Sequence, residues 1–240
     1  MQLQVRHVNR FEERFEQECP LARTQWTKFY LQPGHTLATE PNPEKAEVTY
    51  AGLGAGVTFV SDPFEKETEI TGPLAAKLWV SSATQDADLF LVFRVFTPDL
   101  KEIVYQGALD PHTPIAQGWL RASHRKLDKN LSKEYRPYHT HDEKQPLKPG
   151  EIVELDVEIW PTSIVVPQGY RIALSVRGKD YVYPGGAGQG LETMKNVFTG
   201  VGPFLHNDPI DRPPEVFGKN VSLHFDKDKQ PYVLVPIIPD

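Results

Sequence analysis

Residues 151–160 read EIVELDVEIW, and their alternation decides the fold class. Val153, Leu155, Val157 and Ile159 fall on one face of an extended chain, and Glu154, Asp156 and Glu158 fall on the other. Side chains alternate across a strand with a period of two, so the segment predicts a half-buried antiparallel strand. Working outward, Pro167-Gln168-Gly169 supplies a turn. Arg171 to Val176 then repeats the pattern with Ile172, Leu174 and Val176 inward. Asn220 to Phe225 alternates again through Val221, Leu223 and Phe225.

Residues 88–96 (DLFLVFRVF) and 73–81 (PLAAKLWVS) are more continuously apolar and read as central strands covered on both faces. Trp26 to Leu31 and Tyr232 to Ile238 bring the set to seven or more strands. Helical signals are few. Asn9 to Glu18 carries Phe11 and Phe15 at i, i+4 among many charges, which suits a short amphipathic helix, while Val5 to Val8 reads equally as a strand. Leu191 to Phe198 suits a second short helix. Long loops are expected at 106–118, 128–149 and 177–220. Strands without repeated βα units predict an all-β jelly-roll sandwich with long loops and one or two short helices.

Length and composition agree with that class. A chain of 240 residues is long enough to bury a large core as one domain, without staples. Its 22 prolines and 17 glycines favour turns and strand ends over long helices. The single cysteine, Cys19, has no internal disulfide partner. Acidic and basic residues are interspersed at a net charge of −6, which gives no electrostatic footprint for nucleic acid. No apolar run approaches the ~18 residues of a membrane span, and none resembles a signal peptide. The expectation is a cytoplasmic protein, with a homo-oligomer left open.

The motifs of self-contained chemistry are missing. No G-x-S-x-G elbow occurs, and Ser123 beside His124 is only sequence adjacency. His139 and His141 stand at i, i+2, which on a strand points both imidazoles to one side, but spacing fixes no third metal ligand. The glycine cluster at 185–190 matches neither a dinucleotide-binding fingerprint nor a P-loop, and reads as a tight or flexible loop. No cofactor is expected. The aromatics Trp119, Tyr135, Tyr138, Tyr181 and Tyr183 lie in or beside the long loops, where such rings bind ligands or a partner domain.

Residues 69–73 (EITGP), 77–82 (KLWVSS), 86–88 (DAD), 118–125 (GWLRASHR), 146–151 (PLKPGE), 159–163 (IWPTS), 169–171 (GYR) and 231–239 (PYVLVPIIP) follow one another in an order that resembles a known domain. It is the C-terminal domain of the X-Pro dipeptidyl-peptidase and cocaine-esterase family, and the resemblance runs from roughly residue 20 to 239. It implies a galactose-binding-like jelly roll at 26–240, entered by a lead-in at 1–25 that connects from a hydrolase domain. It further implies a partner, an α/β-hydrolase domain that supplies Ser, Asp and His, on which the jelly roll packs to help close the substrate cleft. The sequence departs from the family at 176–181 (VRGKDY) and in the short, glycine-rich 51–58 (AGLGAGVT). No catalytic residue carries over, and no activity is expected of this chain alone. The candidate interface or ligand residues are Trp119, His124, Arg125, Tyr135, His139, His141, Asp180 and Tyr181. The alternative is a stand-alone module that binds carbohydrate or another small ligand through its loop aromatics.

Overall fold

The computed structural model describes residues 1–185, 197–203 and 205–239. The chain opens with a hairpin of β1 (Gln2–Arg6) and β2 (Phe11–Phe15). Next come β3 (Gln25–Gln32), β4 (Thr36–Ala38), β5 (Ala46–Ala51) and β6 (Val57–Ser61). Then β7 (Thr68–Ser82), β8 (Asp88–Phe96), β9 (Glu102–Ile103) and β10 (Ala116–Arg121) lead to a single 3-10 turn at Ala122–His124. After the long loop follow β11 (Val153–Val166), β12 (Arg171–Arg177), the helical turn α1 (Pro214–Phe217), β13 (Asn220–Phe225) and β14 (Tyr232–Ile238). The all-β sandwich expected from the strand pattern is what forms.

Its strands make one curled sheet in the order β10-β8-β12-β6-β4-β3-β14-β7-β11-β1-β2, with β13 and β5 branching from β7 and β9 attached to β8. The curl folds one half of the path over the other. Leu89, Leu91, Phe93 and Val95 of β8 and Ile172, Leu174 and Val176 of β12 share one core with Leu74, Leu78 and Val80 of β7 and Leu155, Val157 and Ile159 of β11. The predicted inward positions of 151–160 are therefore the buried ones. The outward side of β8 is covered as well: Phe90 lies under Arg212, and Arg94 donates to Glu102 at 2.6–2.8 Å. That cover explains why its sequence is apolar on both faces.

Closure of the curl needs a glycine. Gly118 on β10 lies so close to β11 that a Cβ there would stand 2.0 Å from the carbonyl oxygen of Glu158. On β11 the pairing with β7 slips between Ile159 and Thr162. Pro161 has no N–H for a ladder bond, and the bulge absorbs it, while Trp160 keeps the outward face of Glu154, Asp156 and Glu158.

The N-terminal segment corrects one expectation. Residues 9–18 form no helix: Phe11–Phe15 is β2, antiparallel to β1, which in turn pairs in parallel with β11 at Arg6↔Ile164. The i, i+4 spacing of Phe11 and Phe15 is equally a period-two spacing, and pairing with β1 decides between them. The stretch expected as a loop at 106–118 ends early, because β10 begins at Ala116. The helix expected at 191–198 and most of the glycine cluster lie outside the described residues.

Replacing Gly118 by Ala should destabilise the fold by about 1–3 kcal/mol through overpacking against β11. A lowered urea midpoint with an unchanged m-value is the expected observation, and an unchanged midpoint would show that the curl closes elsewhere.

Candidate functional site

The site is assembled by aspartates that tie loops to the sheet. Asp88 opens β8, directly opposite Arg121 at the end of β10. Arg121 grips its carboxylate with Nε at 2.8 Å and Nη2 at 3.0 Å, while Nε of Arg212 donates to the same group at 2.7 Å. Arg121 also reaches Asp211 at 2.9 Å, and this guanidinium holds the Asp211 carboxyl below its usual range. Arg212 donates to the carbonyls of His206 (2.6 Å) and Gly178 (2.5 Å) and covers the Phe90 ring at 4.8 Å. Segment 205–212 is thus pinned over β8.

Two more buried aspartates complete the frame. Asp180 accepts from the backbone N–H of His206 at 2.6 Å and contacts its Nδ1 at 2.9 Å. Asp110 accepts from the backbone N–H groups of Gly200 (2.6 Å), Gly202 (3.1 Å) and His112 (2.9 Å), joining loop 107–113 to loop 200–202. Between the loops lies an apolar cavity of about 570 Å³ bounded by Leu109, Trp119, Trp160, Val201, Pro203 and His206. Trp119 and Trp160 meet edge to face with centroids 5.2 Å apart. Trp160 is 63% exposed, an unusual state for tryptophan, and forms a ridge shared with a second cavity of about 490 Å³ against β1, Pro114 and Pro161. Arg6 borders that second cavity and is fixed by the Ser163 carbonyl (3.2 Å), the Ile115 carbonyl (3.2 Å) and Thr162. This arrangement offers apolar surface, aromatic edges and one oriented imidazole. It suits binding rather than bond cleavage.

The predicted residues divide into groups. Trp119 and Asp180 both reach this face, Asp180 through His206. His124, His139 and His141 form a separate cluster: the Nδ1 atoms of His124 and His141 are 3.2 Å apart, and the His139 and His141 rings are 6.0 Å apart. Among the described residues, no group of three or more His, Cys, Asp or Glu is arranged to hold a metal ion. Arg125 braces the backbone, donating to the carbonyls of Ala122 and Gln145. Tyr135 stacks on Trp26 at 4.7 Å. Tyr181 is a correction: it is buried, with its ring near Arg94 and Arg177, and offers no loop surface. Ser123 is buried, and its hydroxyl donates to the Asp86 carboxylate at 2.6 Å, not to a histidine. Ser81 contacts His224 Nε2 at 2.8 Å, but within the β7/β13 ladder.

Trp160, His206 and Arg212 were not among the candidate site residues read from the sequence. The signal for Trp160 was present, because it continues the face of Glu154, Asp156 and Glu158, where a tryptophan has no core to enter. His206 and Arg212 carried no such signal; their partners lie 26 and 124 residues away.

Two outcomes follow from these contacts. Asp88→Ala strands two guanidiniums, one of them buried, and should cost about 3–5 kcal/mol, whereas Arg212→Met should cost much less, since the carboxylate keeps Arg121. Denaturant unfolding of both variants reads the contrast, and equal losses would refute it. His139 and His224 have pKa values lowered mainly by burial. The folded chain then binds fewer protons than the unfolded chain, whose histidines titrate near ~6.5. Their stabilisation is complete above about pH 6.5 and lost as pH falls through their folded values. Unfolding midpoints at pH 7.5, 6.5 and 5.5 should decline, and His139→Gln should flatten the slope.

Comparison with known proteins places the domain. Residues 3–195 match the family described as the X-Pro dipeptidyl-peptidase C-terminal non-catalytic domain. A Mycobacterium bovis protein named "Putative serine esterase Mb1866c" is 28% identical over 165 residues, covering 66% of this chain and 23% of its own length. A solved CocE/NonD family hydrolase from Staphylococcus aureus superposes with a TM-score of 0.83 at 25% identity, over 99% of this chain and 41% of that one. An aminopeptidase from a marine-sediment Thaumarchaeota archaeon shares the fold at a TM-score of 0.61 and 15% identity, over 97% and 39% of the two chains. The chain therefore spans about a quarter of the curated relative and two fifths of the solved chains. On the strength of the match over residues 3–195, this chain belongs to the family of X-Pro dipeptidyl-peptidase C-terminal non-catalytic domains.

Proposed function

We propose that the Trp119–Trp160 face packs on an α/β-hydrolase catalytic domain and borders its substrate cleft. The observation that carries this reading is Trp160, 63% exposed on the outward face of β11 between two cavities of about 490 and 570 Å³. Exposed tryptophans beside preformed pockets are the usual anchors of an interface. The matched hydrolases extend well beyond the shared part, so they have room for a separate catalytic portion. The alternative, a ligand-binding module built on loop aromatics, loses Tyr181 to the interior.

The chain alone should not turn over p-nitrophenyl esters or X-Pro p-nitroanilides, and a serine-directed fluorophosphonate should not label it. To test the face, this chain would replace the matching domain of the Staphylococcus aureus hydrolase. Trp160→Ser in that chimaera should lower kcat/KM by about tenfold or more, the range of an interface anchor. It should leave the melting temperature of the isolated chain unchanged. Full activity in the Trp160→Ser chimaera would sink the reading.

A further inference from the structure

The main path of the curled sheet has two ends, and they differ. At one end β10 is closed against β11. At the other, β2 pairs with β1, and among the described residues no strand pairs with its outer edge. Edges are ordinarily blunted by short length, charge, proline or a bulge. Residues 11–15 (FEERF) are short and charged but carry no proline, lysine or bulge, their charges alternate in sign on one face with Arg10 and Glu16, and Phe11 and Phe15 are 61% and 70% exposed.

Which backbone groups face outward follows from the hairpin. Glu16 N–H donates to the Met1 carbonyl and His7 N–H to the Arg10 carbonyl, each at 2.8 Å. Bonded and non-bonded pairs alternate in an antiparallel ladder, so Arg14 and Glu12 also bond to β1. The N–H and C=O groups of Phe11, Glu13 and Phe15 therefore point away from β1.

We infer that this edge pairs with the β2 edge of a second copy, antiparallel about a two-fold axis at Glu13. Any register centred on a residue brings outward-facing groups opposite one another, but centring on Glu12 sets Arg10 against Arg14 and centring on Arg14 sets Glu12 against Glu16, so charge selects Glu13. Centring on Glu13 sets Phe11 against Phe15 twice on one face. On the other face, Glu12 stands against Arg14 and Arg10 against Glu16, each twice. The charges alternate along β2 so that every cross-strand pair on that face is of opposite sign. Within one copy this face already carries ion pairs of Arg14 with Glu16 and Glu69 and of Arg10 with Glu12, which the second copy extends. One pair opposes the dimer: the two Glu13 carboxylates meet at the axis, although each accepts from its own Gln2 amide at 2.7 Å. A two-fold axis makes such a contact closed and self-complementary. The inference is independent of any catalytic partner, because it uses the β2 edge and not the Trp160 face.

Sedimentation equilibrium of the 240-residue chain over a wide concentration range tests it. A reversible monomer–dimer equilibrium is expected. Glu13→Gln removes the like-charge pair and should tighten the dimer by about two- to fivefold. Glu12→Arg sets arginine against Arg14 and should weaken it by a comparable or larger factor. Glu13→Pro deletes an outward N–H without touching the hairpin ladder and should abolish dimerisation. Should Glu13→Pro disturb the hairpin by circular dichroism, the opposite shifts of Glu13→Gln and Glu12→Arg still decide. A chain that stays monomeric at every concentration, or a dimer indifferent to these changes, would overturn the inference.

Discussion

Two guanidinium groups share the carboxylate of Asp88, and much of the working surface depends on that contact. Arg121 approaches from the neighbouring strand and Arg212 from 124 residues further along the chain. Asp88 and Arg212 are buried, so each is costly to leave alone in a low-dielectric setting. The excess positive charge is met by Asp211 at the surface. One carboxylate thereby fixes the β8/β10 register and anchors a distant segment to it. Loop-closure entropy grows only slowly with loop length, so one well-made contact can hold a long excursion.

Asp110 and Asp180 repeat the device with backbone N–H groups as partners. The loops they tether wall a cavity, and the rigid sheet beneath supplies Trp119. Trp160 comes from a different source, the outward alternation of β11 itself, where it follows Glu154, Asp156 and Glu158 and stands beside the bulge at Pro161. The result is an apolar face, aromatic at its ridge, beside a polar network that is almost fully satisfied. A surface of this kind costs hydration free energy when bare and is suited to being covered.

The stretches of sequence that carry the family resemblance turn out to be structural, with Trp160 the main exception. Gly118 permits the curl to close, Arg121 and Arg125 hold a carboxylate and two carbonyls, and Leu147 is buried while Gly150 N–H meets the Ser82 carbonyl. Gly169 adopts a φ of +81° in the turn before β12, and Arg171 donates to the Ser61 carbonyl at 2.8 Å. Such residues mark the fold without marking chemistry.

What the sequence by itself determined was the fold class, the principal strands and the lack of a nucleophile motif. Those are local or compositional properties: period-two alternation in 151–160 and the missing Gly-flanked serine can be seen in short windows. The sequence could not choose between helix and strand for Phe11 to Phe15, because both periods fit and pairing with β1 is what decides. It could not reveal that Tyr181 is buried, or that His206 and Arg212 belong to the site. Those facts rest on contacts between residues far apart in the chain, made only when the sheet curls and the Asp88 carboxylate finds both of its arginines.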